Sequence, residues 1–255
     1  MKKIFTFLVA FLTTVSGAVW AETNPSGTSE TSPYDLATRG GLEITDDGVY
    51  YVYSSSETNN GIMVDGSVSD HSNPTIHLVG ININVGGTAI HLKNYSNPTF
   101  IITGENKITS QGSDAAIKVY GAIAPGASFT VDESSTGILD IEMTGNNSNV
   151  AIGDRESLAG TMADCGSVTI NGGTIKTNGN IGEFDQHAFR FGGNAIVIAN
   201  NIEGFNYNAE ERRSGGLLFL NGDTPYVGEF HNAADDPEFT LSSPLPEPYK
   251  IELRQ

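Results

Sequence analysis

Ser72–Gly80 reads SNPTIHLVG, and Ser96–Gly104 reads SNPTFIITG. The two stretches lie 24 residues apart, and each runs from a polar turn into alternating apolar residues and then a glycine. Related strands follow at Ser128–Val131 (SFTV) and Ser167–Gly172 (SVTING). A second kind of strand comes after each: ININV, ENKITS, GILDIEM and GGTIKT. A third, shorter kind pairs a small residue with isoleucine, at Ile62, Ile90, Ile117, Ile152 and Ile196. The unit is therefore three short strands separated by turns, lengthened by insertions such as 155–165 and 182–193. Strand-only self-similarity at this period is the mark of a solenoid, because one unit cannot bury its own apolar side chains.

Stacking the units places each strand beside its equivalent in the next coil, about 4.8 Å away. Alternation then predicts two inward columns on the first strand. One holds Ile76, Phe100, Phe129 and Val168, and the other holds Leu78, Ile102, Val131 and Ile170. A slip of one residue would turn both columns out to water, which fixes the face of every strand. The ends of such a stack need caps. Residues 42–54 (LEITDDGVYYVYS) read as a strand pair turning at Asp46-Asp47-Gly48, and cover the first coil. Residues 216–230 (GLLFLNGDTPYVGEF) read as a closing hairpin turning at Asn221-Gly222-Asp223. A β-sandwich with coincidental similarity is the competing architecture.

Composition agrees. The 255 residues include 22 Ile against 14 Leu, with 30 Gly, 22 Asn and 23 Thr. Branched side chains suit pleated surfaces, and Gly and Asn suit tight corners. Lys2, Lys3 and the apolar run Ile4–Val15 ahead of Val19-Trp20-Ala21 read as an export leader, residues 1–21, cleaved after Ala21. Secretion to the periplasm or the extracellular medium is expected. Residues 22–33 (ETNPSGTSETSP) read as a flexible linker, 34–232 as the β-helix with its cap and hairpin, and 233–255 as a Pro-rich tail. The formal charge of −17 becomes −19 once Lys2 and Lys3 leave. Such a surplus repels phosphate backbones and anionic membranes, so no nucleic-acid partner is expected. No apolar run after the leader is long enough to insert in a membrane. The single Cys, Cys165, allows no internal disulfide.

The succession TDDGVYYVYS, GIMVDGS, PTIHLVGININVGGTAI, FIITGENKITS, DAAIKV, CGSVTINGGTIKTNG and GLLFLNGDTPYVGEF resembles the bacterial secreted "carbohydrate-binding domain" family. The similarity covers about residues 42–232, with GENKITS and GSVTINGGTIKTNG its most specific pieces. The resemblance implies a right-handed parallel β-helix, pectate-lyase-like in shape, that binds plant-type or acidic polysaccharides and in some members uses Ca²⁺. It implies no catalytic residue. The expected fold is thus all-β, a right-handed parallel β-helix of about five coils with β caps.

None of His71, His77, His91, His187 and His231 shows metal-type spacing. Asp140 and Glu142 share one strand face and read as surface solvation, since side-by-side carboxylates do not flank a sugar ring as hydrolysis requires. Asp132-Glu133 and Asp235-Asp236 with Glu238 lie in turns and could offer oxygens to Ca²⁺. Asn82 and Asn106 read as corner residues that satisfy backbone groups. A lyase would need a base among Lys93, Lys107, Lys118, Lys176 and Arg155.

The third strand offers the best candidate site. With Ile90, Leu92, Ile117 and Val119 inward, His91, Lys93, Lys118 and Tyr120 point out. Stacking sets His91 beside Lys118 and Lys93 beside Tyr120, with Met63 and Asp65 in the preceding coil. Lysine pairs with uronate carboxylates, and an aromatic ring stacks on a sugar. The competing reading is charge relief on an acidic surface. The functional expectation is non-catalytic carbohydrate binding, with a polysaccharide lyase of the same shape or a surface-structural, adhesive protein as alternatives.

Overall fold

A computed structural model describes residues 20–67, 70–93, 95–120, 126–145, 150–154, 166–182, 189–202, 215–220 and 226–229. It is a parallel β-helix built from three sheets. Sheet I takes β1 (Trp20–Thr23), β3 (Gly41–Ile44), β5 (Ile62–Val64), β8 (Ile90–Leu92), β11 (Ile117–Val119), β14 (Val150–Gly153), β17 (Asn180–Gly182) and β20 (Asn201–Ile202). Sheet II takes β2 (Tyr34–Asp35), β4 (Val49–Tyr53), β6 (Thr75–Leu78), β9 (Thr99–Ile102), β12 (Ser128–Val131), β15 (Ser167–Ile170) and β18 (Phe189–Phe191). Sheet III takes β7 (Asn82–Val85), β10 (Glu105–Ser110), β13 (Ile138–Met143), β16 (Thr174–Thr177), β19 (Gly193–Ala199), β21 (Gly215–Leu220) and β22 (Tyr226–Glu229). Five coils, from β5 through β19, contribute one strand to each sheet, as the repeat predicts.

Alternation does what it must for a stack closed on itself. The inward residues of β6, β9, β12 and β15 are all fully buried: Ile76, Leu78, Phe100, Ile102, Phe129, Val131, Val168 and Ile170. Each such side chain contributes roughly 1.5–3 kcal/mol. Gly80 and Gly104, which end the two SNPT strands, have φ of +104° and +65°, the left-handed corner that glycine takes without a Cβ penalty. Asn106 is 2% exposed in the next corner. Its Oδ1 accepts from the Gly80 and Ile81 amides, and its Nδ2 donates to the Thr103 and Ile138 carbonyls. Asn82 has no such role; it stands outward beside Lys107.

Four details differ from the sequence reading. Between β9 and β12 the register is shifted by two: Phe100 lies opposite Val131, not Phe129. A two-residue slip keeps every side chain on its own face, so burial cannot reveal it. The Phe100 and Phe129 rings still meet, with centroids 4.9 Å apart. Ile196 belongs to sheet III, and the sheet I partner of Ile152 is Ile181.

Residues 42–54 are not a capping pair. β3 and β4 are ordinary rungs of sheets I and II, paired in parallel with β5 and β6. The first rung lies earlier, across the boundary between the expected leader and linker: β1 begins at Trp20, ahead of the expected cleavage after Ala21, and pairs with β3, Ser29 bridges Ser32, and the Thr28 hydroxyl donates to the Val49 carbonyl. Fully buried Tyr34 and Leu36, at the start of the one short helix among the described residues, α1 (Leu36–Arg39), line this end of the core. Asp35 caps α1: it accepts from Ala37 N–H and Thr38 Oγ1, and also from Ser55 N–H and Oγ. At the other end β22 pairs antiparallel with β21, the expected closing hairpin. Residues 1–19, Arg155, Cys165, His187, His231, the hairpin turn and the tail from 230 onward lie outside the described residues.

Candidate functional site

The expected patch is assembled on the outer face of sheet I. Strand pairing lines up Glu43, Met63, His91, Lys118, Gly153 and Gly182 in one outward file. The neighbouring file carries Asp65, Lys93 and Tyr120, each one residue beyond the paired positions Val64, Leu92 and Val119. The adjacency of His91 to Lys118 follows from this register. The open, cationic character expected of the patch does not.

Lys118 is only 8% exposed, and Met63 of the same file only 6%. Both occupy outward positions of sheet I and are nonetheless buried, so strand alternation alone overstated their access to water. The Lys118 ammonium lies 3.7 Å from an Asp154 carboxylate that is itself buried. It also stands 6.0 Å from the Tyr120 ring centroid, the outer limit for a cation–π contact. Lys93 donates to Asp65 at 2.7 Å, across adjacent rungs. Each lysine is therefore answered by a carboxylate, and the pairs lie on either side of His91. Burial pushes the His91 imidazole below the ordinary histidine range, and Lys118 and Lys93 push it the same way against Asp154 and Asp65. At neutral pH it is an uncharged donor and acceptor.

The arrangement offers paired donors and acceptors, a neutral imidazole and a phenol ring within two adjacent files. The sequence missed Asp154. Nothing in the run Ala151–Asp154 distinguishes it from a turn residue, and its role arises only because Gly153 faces Lys118 in the register. Gly153 must be a glycine here, since a Cβ would meet the Gly182 carbonyl oxygen at 2.1 Å.

The remaining candidates separate cleanly. Asp140 pairs with Lys176 at 2.8 Å and Glu142 with Lys107 at 3.2 Å, a solvated charge lattice on sheet III. Asp132 accepts from Ser134 N–H and Oγ, which holds its pKa below the ordinary carboxylate range. Among the described residues no three His, Cys, Asp or Glu side chains converge as a metal site would need. Asp132-Glu133 has no third such side chain converging on it; Asp235, Asp236 and Glu238 lie outside the described residues. No helix among the described residues is long and apolar enough to cross a membrane.

Comparison with protein-family models, with curated proteins and with solved structures finds no match to this chain.

Proposed function

We propose that the chain is an exported, non-catalytic carbohydrate-binding protein. The observation that carries this reading is the double file on sheet I, where the Asp65–Lys93 pair, His91 and Tyr120 share one outward surface. Sugar hydroxyls both donate and accept, and a carboxylate–ammonium pair beside a ring meets both needs. The sequence resemblance to the secreted "carbohydrate-binding domain" family, which no family model matches, implies the same class. The acidic-polysaccharide preference loses its footing, because neither Lys93 nor Lys118 stands as an unanswered cation.

The test is a glycan array probed with the wild-type chain, Tyr120→Ala and Lys93→Ala. Binding that both variants weaken, with circular dichroism unchanged, supports the reading. Unaltered binding in both variants moves the site off sheet I, and no binding to any glycan ends the reading. Incubation with polygalacturonate, followed by the ultraviolet absorbance of unsaturated product, checks the lyase alternative; turnover would replace a binder with an enzyme.

A further inference from the structure

The outer faces of the three sheets carry different chemistry. Sheet III shows charged pairs, and sheet I shows the two Lys–Asp pairs. Sheet II is different. Its register lines up Val49, Thr75, Thr99, Thr130 and Thr169 in a single outward file, ending at Arg190. None of these four threonine hydroxyls takes a hydrogen bond within the chain among the described residues, although the neighbouring Asn73, Asn97 and Ser128 bond one another along their own file. Val49, at the head of the file, is 55% exposed, the one exposed large apolar side chain among the described residues.

Beside the threonines run Tyr51, His77 and Ile101. The Tyr51 and His77 rings stack on each other at 4.0 Å and 11°, so they present their polar edges outward. Burial lowers the His77 pKa against a smaller opposing pull from Glu30, and so favours the neutral imidazole. Across the rungs from β4 to β9 these two files carry no charge, on a chain of net charge −17. Asp132 enters the second file on the β12 rung, next after Ile101, and Arg190 ends the threonine file two rungs later.

We propose that this strip is the contact face for a neutral polysaccharide lying along the helix axis. The proposal rests on the carbohydrate-binding reading and places a second, longer face on sheet II. A hydroxyl recurs at each threonine rung, roughly 4.8 Å apart, and the neighbouring file lies about 6.7 Å away. Neutral hydroxyls that donate and accept match a neutral, hydroxyl-rich ligand, and the γ-methyl groups meet its C–H surface. A uronate chain gains no cation along the threonine rungs, with Arg190 only at the end of the file, and meets an acidic protein. A second copy of the chain is a poor occupant: two files over five rungs cover roughly 300 Å², short of the ~800 Å² per partner of a stable interface.

The experiment is co-sedimentation of the mature chain with insoluble β-1,4-glucan, chitin and mannan, and with polygalacturonate gel, at two salt concentrations. The variants are Thr99→Val with Thr130→Val, which keeps shape and removes two hydroxyls, and Tyr120→Ala on sheet I. The expected result is binding to at least one neutral solid, unmoved by salt, at least tenfold weaker in the double valine variant and unchanged in Tyr120→Ala. Neutral-solid binding that survives the double valine substitution overturns the sheet II face and leaves the glycan reading standing. Binding to polygalacturonate alone also overturns it. No binding to any glycan ends both. A wild-type dimer that the valine variant dissociates in sedimentation assigns the strip to a second copy and overturns the proposal.

Discussion

Replacing Phe100 by alanine should cost about 3–5 kcal/mol of stability, the range for emptying a fully buried aromatic site. The structure sets the expectation at the upper part of that range. Phe100 is fully buried, lies between Ile76 and Val131 in the register, and touches the Phe129 ring at 4.9 Å. Its neighbours are strands hydrogen-bonded on both sides, so the rungs cannot close over the void without breaking their ladders. Part of the loss is the ring pair itself, worth about 0.5–1.5 kcal/mol beyond area burial. Urea unfolding of the mature chain measures the total, and the slope should stay constant if only stability changes. A double-mutant cycle with Phe100→Leu and Phe129→Leu isolates the ring term. A loss below about 1 kcal/mol for Phe100→Ala would refute its place in the core. Full additivity in the cycle would refute the ring contact and put the shifted register between β9 and β12 in question.

Asp35→Ala should cost about 1–2 kcal/mol, as lost caps do, measured by thermal melting at pH 7. Burial raises the pKa of Asp35, but the four hydrogen bonds from Ser55, Thr38 and Ala37 outweigh it and hold the pKa at about 2. A depressed value stabilises the fold above the unfolded pKa of 3.8 and fades as pH falls through about 2, so the wild-type advantage over Asp35→Ala should shrink from pH 5 to pH 2. Gly61→Ala should melt far below wild type, because its Cβ would meet the Ala89 carbonyl oxygen at 2.3 Å, whereas Gly86→Ala, with nothing within 4 Å, should melt within a few degrees of it. Lys118→Ala should destabilise more than Lys93→Ala in chemical denaturation. It strips a partner from buried Asp154, while the half-exposed Lys93–Asp65 pair is worth at most about 1 kcal/mol.

The coil was legible because its signal is repeated and local. SNPT returns after 24 residues, and period-two alternation names the buried face in each copy without reference to any other part of the chain. Register was less legible. Alternation repeats every second residue, so it cannot distinguish Phe100 opposite Phe129 from Phe100 opposite Val131; turn length decides, and the β9–β12 connection differs in length from its neighbours. The same limit hid the ends. β3 and β4 look like a hairpin because a turn lies between them, but in a β-helix consecutive strands belong to different sheets and pair only with the next coil. The Ser/Thr/Pro/Gly stretch 22–33 carries no alternation, yet its backbone and hydroxyls still dock on the adjacent rung through β1 and Thr28.

The candidate site shows where alternation stops being informative. It separates inward from outward, and for the core that suffices, because every inward position meets the same apolar interior. An outward position meets whatever stands on the rungs above and below it, and those neighbours come from residues 20 to 40 apart in the chain. Lys118 and Lys93 both point out, but Asp154 and Asp65 decide what each lysine does, and one pair is buried while the other is half exposed. The threonine file of sheet II escaped notice for the mirror-image reason. Each of Thr75, Thr99, Thr130 and Thr169 is an ordinary strand residue alone, and only the two-residue shift at β12 brings Thr130 into line with Thr99. A file is a property of register, so a binding face on a solenoid is written in the lengths of its turns as much as in the identity of its side chains.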